Sequence, residues 1–139
     1  MITERQKMLV KNSWRCSIDA EKAGKIFYGR LFEVAPEIRH LFQDDIKFQA
    51  RKLMNMVKLI VTRIHNLDEI IEEVKSLARR HSRYGAEPAH YKIVGECLMW
   101  TLERVICDKW DDETRDAWMA VYSVLANAMI KDQSSSLAA

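Results

Sequence analysis

Residues that interrupt helices are scarce along this chain, which has four glycines and two prolines among its 139 residues. Glycine and proline mark turns, strand ends and helix ends, so their scarcity favours a few long helices over many short strands. Hydrophobic residues make up 48% of the chain and charged residues 30%, which is typical of a globular protein with a buried core. We therefore expect an all-α protein.

Capping residues and apolar spacing place the helices. Thr3 and Gln6 have the spacing of a capping box, and the helix that they begin is expected to end near Ser17. Asp19 and Asp68 can each cap a further helix because a short acidic side chain accepts hydrogen bonds from the first turn. Between these caps, apolar residues recur three or four positions apart, as on the buried face of a helix.

The organisation of the chain is simple. No internal repeat or linker is visible, and Pro88 fits the first turn of a late helix. The pattern predicts one domain over residues 1–131, built from about seven helices. We expect the polar tail over residues 132–139 to be disordered.

Charge and cysteine content limit the kinds of partner. The net charge of +2 gives no reason to expect a nucleic-acid partner. The chain has an odd number of cysteines, namely Cys16, Cys97 and Cys107, and they form no Cys-x-x-Cys pair. Neither a disulfide framework nor a zinc site is therefore expected. No secretion leader or membrane-spanning run is visible. We expect a cytoplasmic protein with no membrane contact, and a monomer.

Three polar residues stand where an apolar helical face should continue. Tyr28 lies within one such face, Gln49 begins another, and His81 ends a third. Burying a polar group without a partner costs about 1–3 kcal/mol. Each of these residues is therefore expected to have a hydrogen-bond partner or a functional role. From the pattern alone, each also has an ordinary explanation. Tyr28 can be a core residue, Gln49 can cap the helix that it starts, and His81 can be a satisfied boundary residue.

Three segments, in their order and spacing, resemble the globin family. Residues 27–42 are similar to the segment that joins the second and third globin helices, and residues 77–98 resemble the proximal segment. Residues 117–126 are similar to the last globin helix. The resemblance is strongest to bacterial single-domain globins and to the globin domain of flavohaemoglobins, and it runs to about residue 133. It implies the globin fold, a three-on-three helical sandwich around haem b.

The resemblance assigns the ligand-binding residues by position. His81 matches the proximal histidine, which is the protein's bond to haem iron. Tyr28 and Gln49 match the distal tyrosine and the distal polar residue, and Leu53 matches the apolar residue that crowds the ligand. The stretch between Phe42 and Gln49 is about one turn shorter than in the flavohaemoglobin type.

Other residues match positions that contact the haem itself. Phe42 matches the phenylalanine that packs on the porphyrin, and Tyr91 matches a tyrosine that approaches the proximal histidine. Val94 and Leu98 match residues beneath the ring. Lys52 and Arg80 are candidates for the propionates, although a solvated basic residue is the usual explanation for either.

The implied function is tight binding of O2, for storage or scavenging, with CO and NO as further ligands. The alternative is an enzyme, a nitric oxide dioxygenase that converts O2 and NO into nitrate and leaves the haem iron ferric. The sequence contains no flavin or nicotinamide domain, so turnover is expected to need a separate electron-donating reductase. A gas sensor and a haem-free helical interaction module are the remaining hypotheses.

Overall fold

The computed structural model describes residues 2–14, 19–41, 45–83 and 88–138. Within these ranges the chain is helical and contains no β-strand, as the sequence predicts. The described residues form six α-helices: α1 (Glu4–Ser13), α2 (Ala20–Val34), α3 (Ile46–Thr62), α4 (Ile71–Arg83), α5 (Pro88–Ile106) and α6 (Asp112–Ala138). Three short 3₁₀ helices accompany them, at Pro36–Leu41, Leu67–Ile70 and Cys107–Lys109.

Several of the predicted helix starts are present. The Thr3 hydroxyl accepts from the backbone N–H of Gln6, and the Gln6 side chain accepts from the backbone N–H of Thr3, which completes the capping box. The Asp19 carboxylate accepts from the N–H of Lys22 at the start of α2. Helix α5 begins at Pro88, as predicted. Local hydrogen bonding of this kind is readable from sequence because it involves residues only three apart.

Other helix ends differ from the predictions. Helix α1 ends at Ser13 rather than near Ser17, and Arg15 to Ile18 lie outside the described residues. Asp68 does not cap α4, because it lies inside the 3₁₀ helix and α4 begins three residues later. Helix α6 runs over Asp112–Ala138, and the expected disorder of residues 132–139 stays a prediction. The domain boundary at residue 131 stays a prediction.

The core lies where α2 packs on α3 and α5, and where α6 packs on α1, α4 and α5. Its largest fully buried side chains include Phe27, Leu31, Ile64 and Leu102. In the part of the chain that the structure describes, no helix is both long enough and apolar enough to cross a bilayer. The arrangement places the start of α3 against α2, and the start of α5 against α6.

Candidate functional site

The distal side of the candidate site is built on a close crossing of α2 and α3. A Cβ atom at Gly24 would overlap the Cβ of Ala50 and lie only 2.8 Å from its Cα, so this approach requires glycine. Tyr28 follows Gly24 by one helical turn on the same face of α2. Gln49 directly precedes Ala50 on α3. Tyr28 and Gln49, two of the predicted distal residues, thus lie within one turn of this crossing along their own helices.

Tyr28 is a core residue, with 5% of its surface exposed. Its ring packs edge-on against Phe27, with the ring centroids 4.9 Å apart, and lies 5.8 Å from the ring of Phe32. Burial raises the pKa of the Tyr28 phenol above the ordinary value of a tyrosine, because the phenolate would lose its hydration. The hydroxyl is therefore protonated at physiological pH and is able to donate a hydrogen bond.

The two faces of α3 differ in burial. The face that packs against α2 is fully buried and consists of Ala50, Met54, Val57 and Val61. The neighbouring face is only half-buried, although it is almost as apolar, and consists of Gln49, Leu53, Met56 and Ile60. A half-buried apolar face next to a buried phenol is suited to covering by a flat apolar group.

Gln49 does not cap its helix. Helix α3 begins at Ile46, and the Asp45 carboxylate accepts from the N–H of Lys47. The backbone N–H of Gln49 already donates to the Asp45 carbonyl, 3.0 Å away, as in a regular helical turn. The capping explanation for Gln49 is therefore wrong, and the sequence placed the helix start three residues too late. The Gln49 side chain belongs to the half-buried face of α3.

The start of α5 is held by α6. The Tyr122 hydroxyl donates to the backbone carbonyl of Tyr91, 2.6 Å away. A Cβ at Gly95 would lie 2.6 Å from Cε2 of Tyr122, so the ring rests directly on the α5 backbone. Tyr91 and Leu98 are buried and Val94 is half-buried, and the three share one face of α5. Gly95 and Tyr122 were not predicted to belong to the site, since their contact joins residues distant in sequence.

The structure describes the remaining predicted site residues to different extents. His81 lies in the last turns of α4 and Arg80 directly precedes it, but the structure describes only their backbone. Phe42 lies outside the described residues. Lys52 is exposed, and its Nζ atom lies 4.5 Å from the centroid of the Phe48 ring. The assignments of His81, Arg80, Phe42 and Lys52 stay predictions.

A concavity lies elsewhere on the molecule. It has a volume of about 200 Å³ and is lined mainly by Met99, Trp100, Trp110 and Met119, between α5 and α6. Met99 and Trp100 point away from the face that carries Tyr91, Val94 and Leu98, so this groove is separate from the candidate site. Among the described residues, no cluster of histidine, cysteine, aspartate and glutamate could hold a metal ion directly.

Comparison with known proteins identifies the family. The Globin family model matches residues 25–129, and the chain therefore belongs to the globin family. A flavohaemoprotein of Halalkalibacterium halodurans is 31% identical over 114 residues, which are 80% of this chain and 28% of that protein. A flavohaemoprotein of Bacillus subtilis is 34% identical over 107 residues, 75% of this chain and 27% of that protein. The chain thus spans little more than a quarter of the length of these relatives.

Solved structures agree on the fold. An engineered carbene transferase, derived from a proposed nitric oxide dioxygenase of Rhodothermus marinus, has a TM-score of 0.87 and 24% identity, with 99% of this chain and 97% of that chain covered. A bacterial globin from Campylobacter jejuni has a TM-score of 0.84 and 23% identity, with 99% and 100% covered. Together with the family match, these likenesses establish the globin fold for this chain.

The described residues fit the haem that membership of the globin family implies. Leu53, Met56 and Ile60 on α3 and Val94 on α5 present half-buried apolar side chains, which suit the flat porphyrin. Tyr28 on α2 adds one buried phenol. The backbone of His81, the predicted iron ligand, lies in α4. Haem is thus the group that these residues suit.

Proposed function

We propose that this chain binds haem b through His81 and holds O2 tightly with the help of Tyr28 and Gln49, for oxygen storage or scavenging. The observation that carries the proposal is the buried, protonated phenol of Tyr28 beside the half-buried apolar face of α3. Haem would supply the iron that binds the gas. The chain's own residues would decide which gas is held and for how long.

Tyr28 and Gln49 would act as hydrogen-bond donors to the ligand. A phenol offers one O–H donor and a glutamine amide offers two N–H donors. The two donors would favour O2 over CO, because CO is the less polar ligand. Two hydrogen bonds of about 1–1.5 kcal/mol each would slow O2 release about 30- to 150-fold relative to an apolar pocket.

The apolar residues would exclude water and limit the size of the ligand. Leu53 lies one turn after Gln49 on the same face of α3, where its side chain would crowd a ligand beside the phenol. Val94 and Leu98 would line the other side of the porphyrin. A dry pocket strengthens the hydrogen bonds of Tyr28 and Gln49 because fewer water molecules compete for the same donors.

A nitric oxide dioxygenase is the second candidate function. It is favoured by the same donors, which would keep O2 in place while NO arrives, and by the similarity to flavohaemoproteins and to a proposed nitric oxide dioxygenase. One NO and one O2 would give one nitrate and leave the iron ferric. Each further cycle would need one electron from a separate reductase, whereas a storage protein would need none.

The test is the O2 dissociation rate constant of the reduced protein, measured beside that of Tyr28→Phe. Loss of one hydrogen bond should raise this rate constant about 10-fold, while the CO rate constant changes less than about 2-fold. Ser13→Ala is the matched control, because it removes a buried hydroxyl on α1 whose hydrogen bonds run to Val10 and Trp118, and it should leave both rate constants unchanged. Equal effects of Tyr28→Phe on O2 and CO would rule out the proposed donor role.

Measured turnover separates the two candidate functions. Sustained NO consumption in the presence of a reductant and a reductase would favour the dioxygenase. A single stoichiometric oxidation, with no further consumption, would favour storage or scavenging.

A further inference from the structure

Helix α3 is strongly basic although the chain as a whole is nearly neutral. Lys47, Arg51, Lys52 and Lys58 lie along Ile46–Thr62, and this helix contains no aspartate or glutamate. Its side-chain charge of +4 therefore exceeds the net charge of the entire protein, which is +2. All four basic side chains are exposed.

An exposed aromatic ring lies among these charges. Phe48 has 49% of its surface in solvent and the Nζ atom of Lys52 lies 4.5 Å from its ring centroid. Phe48 directly precedes Gln49, so the ring flanks the face of α3 that belongs to the candidate site. We call Lys47, Phe48, Arg51, Lys52 and Lys58 the α3 patch. The other large exposed hydrophobic residues, Met8, Val34 and Val124, lie on other helices.

Little of this charge is neutralised within the molecule. Lys47 lies 3.5 Å from a carboxylate oxygen of Glu21, which also pairs with Lys25 at 3.7 Å. Across the described part of the chain, Arg51 and Lys58 enter no ion pair. Exposed charges of one sign around an apolar centre steer an oppositely charged partner and fix its orientation.

We propose that the α3 patch binds an acidic electron-transfer protein, which passes electrons to the candidate site. This inference rests on the second candidate function, the dioxygenase, because each cycle of that reaction needs one electron to return ferric haem to the ferrous form. The donor loses one electron and the iron gains one. A bound donor would lie over Phe48, on the exposed side of α3. Exposed Phe48 supplies the apolar centre of the contact and the basic residues supply its rim.

The experiment uses the ferric haem protein and a reduced, acidic [2Fe–2S] ferredoxin as the probe. Arg51→Glu combined with Lys58→Glu reverses two charges of the patch without altering a residue that we assign to the haem or its ligand. Arg115→Glu combined with Lys131→Glu is the matched control, since both residues are exposed on α6 and the change in net charge is identical. Binding is measured by calorimetry and reduction by stopped-flow absorbance, at low and high salt.

We expect the patch variant to slow the second-order reduction about 10-fold or more at low salt, and to weaken ferredoxin binding in parallel. The difference should vanish at about 0.5 M salt because surface charges are then screened. The control variant should retain the wild-type binding and rate. Phe48→Ser should weaken binding at both salt concentrations.

Equal effects of the two double variants would overturn the proposal, since the protein's net charge alone would then set the rate. Failure of ferredoxin to bind, together with patch-dependent binding of a duplex DNA, would assign the patch to a nucleic acid instead. The O2 dissociation rate constant should be unchanged in the patch variant. A fast O2 dissociation rate constant that is unchanged in Tyr28→Phe would therefore contradict the proposed function. It would not affect the test of ferredoxin binding to the α3 patch.

Discussion

The distal and proximal sides of the site are held together by different kinds of contact. On the distal side, α2 and α3 meet almost backbone to backbone, with Ala50 packed against Gly24. On the proximal side, α5 is held by α6 through the hydrogen bond from Tyr122 to the Tyr91 carbonyl. A Cβ at Gly24 would meet the backbone of Ala50, whereas a Cβ at Gly95 would meet only the side chain of Tyr122, which is able to shift. The distal geometry is thus the less tolerant of substitution.

The largest expected effect tests the proximal residue that the structure describes only by its backbone. His81→Ala should lose most of its haem affinity, because this side chain is the predicted protein bond to the iron. The readout is the Soret absorbance of the protein after titration with haem. The control is His65→Ala, since His65 is exposed and lies 3.6 Å from Glu4, away from the site. A Soret band of full intensity in His81→Ala would refute the assignment.

The next largest effect tests whether the close crossing of α2 and α3 tolerates a side chain at Gly24. Gly24→Ala should lower the free energy of unfolding by about 1–3 kcal/mol, because the added Cβ forces α2 away from α3. Urea denaturation measures this change. The matched control is Gly29→Ala on the same helix, where a Cβ would meet nothing within 4 Å. That variant should be neutral or stabilised by about 0.5–1 kcal/mol through helix propensity. A Gly24→Ala protein as stable as Gly29→Ala would show that the crossing can relax freely.

The smallest effect tests the proximal contact. Tyr122→Phe should lower the free energy of unfolding by about 1 kcal/mol, because the ring still packs on Gly95 and only the hydrogen bond to Tyr91 is lost. Thr62→Ala is the control, since it removes an exposed hydroxyl that bonds within its own helix, and it should change stability by less than about 0.5 kcal/mol. If Tyr122→Phe cost as much as Gly24→Ala, the two sides of the site would not differ as we describe.

The sequence predicted those parts of the fold that depend on neighbouring residues. The capping box at Thr3, the cap at Asp19 and the start of α5 at Pro88 involve residues within a few positions of one another. Asp68 was wrongly expected to cap a helix, because a 3₁₀ turn intervenes and capping propensity does not distinguish the two. Gln49 was placed at the start of its helix because Asp45, the residue that caps it, lies in a polar stretch that reads as a loop.

For the site, the sequence identified polar residues that interrupt apolar faces, and the family resemblance assigned their roles. Tyr28 was correctly expected on an inward face, since helical periodicity is a property of the sequence. The meeting of Gly24 with Ala50 and of Tyr122 with Tyr91 was decided only by the tertiary structure. Those contacts depend on how whole helices pack against one another. The energy of such packing is distributed over many side chains far apart in sequence, and no local pattern records it.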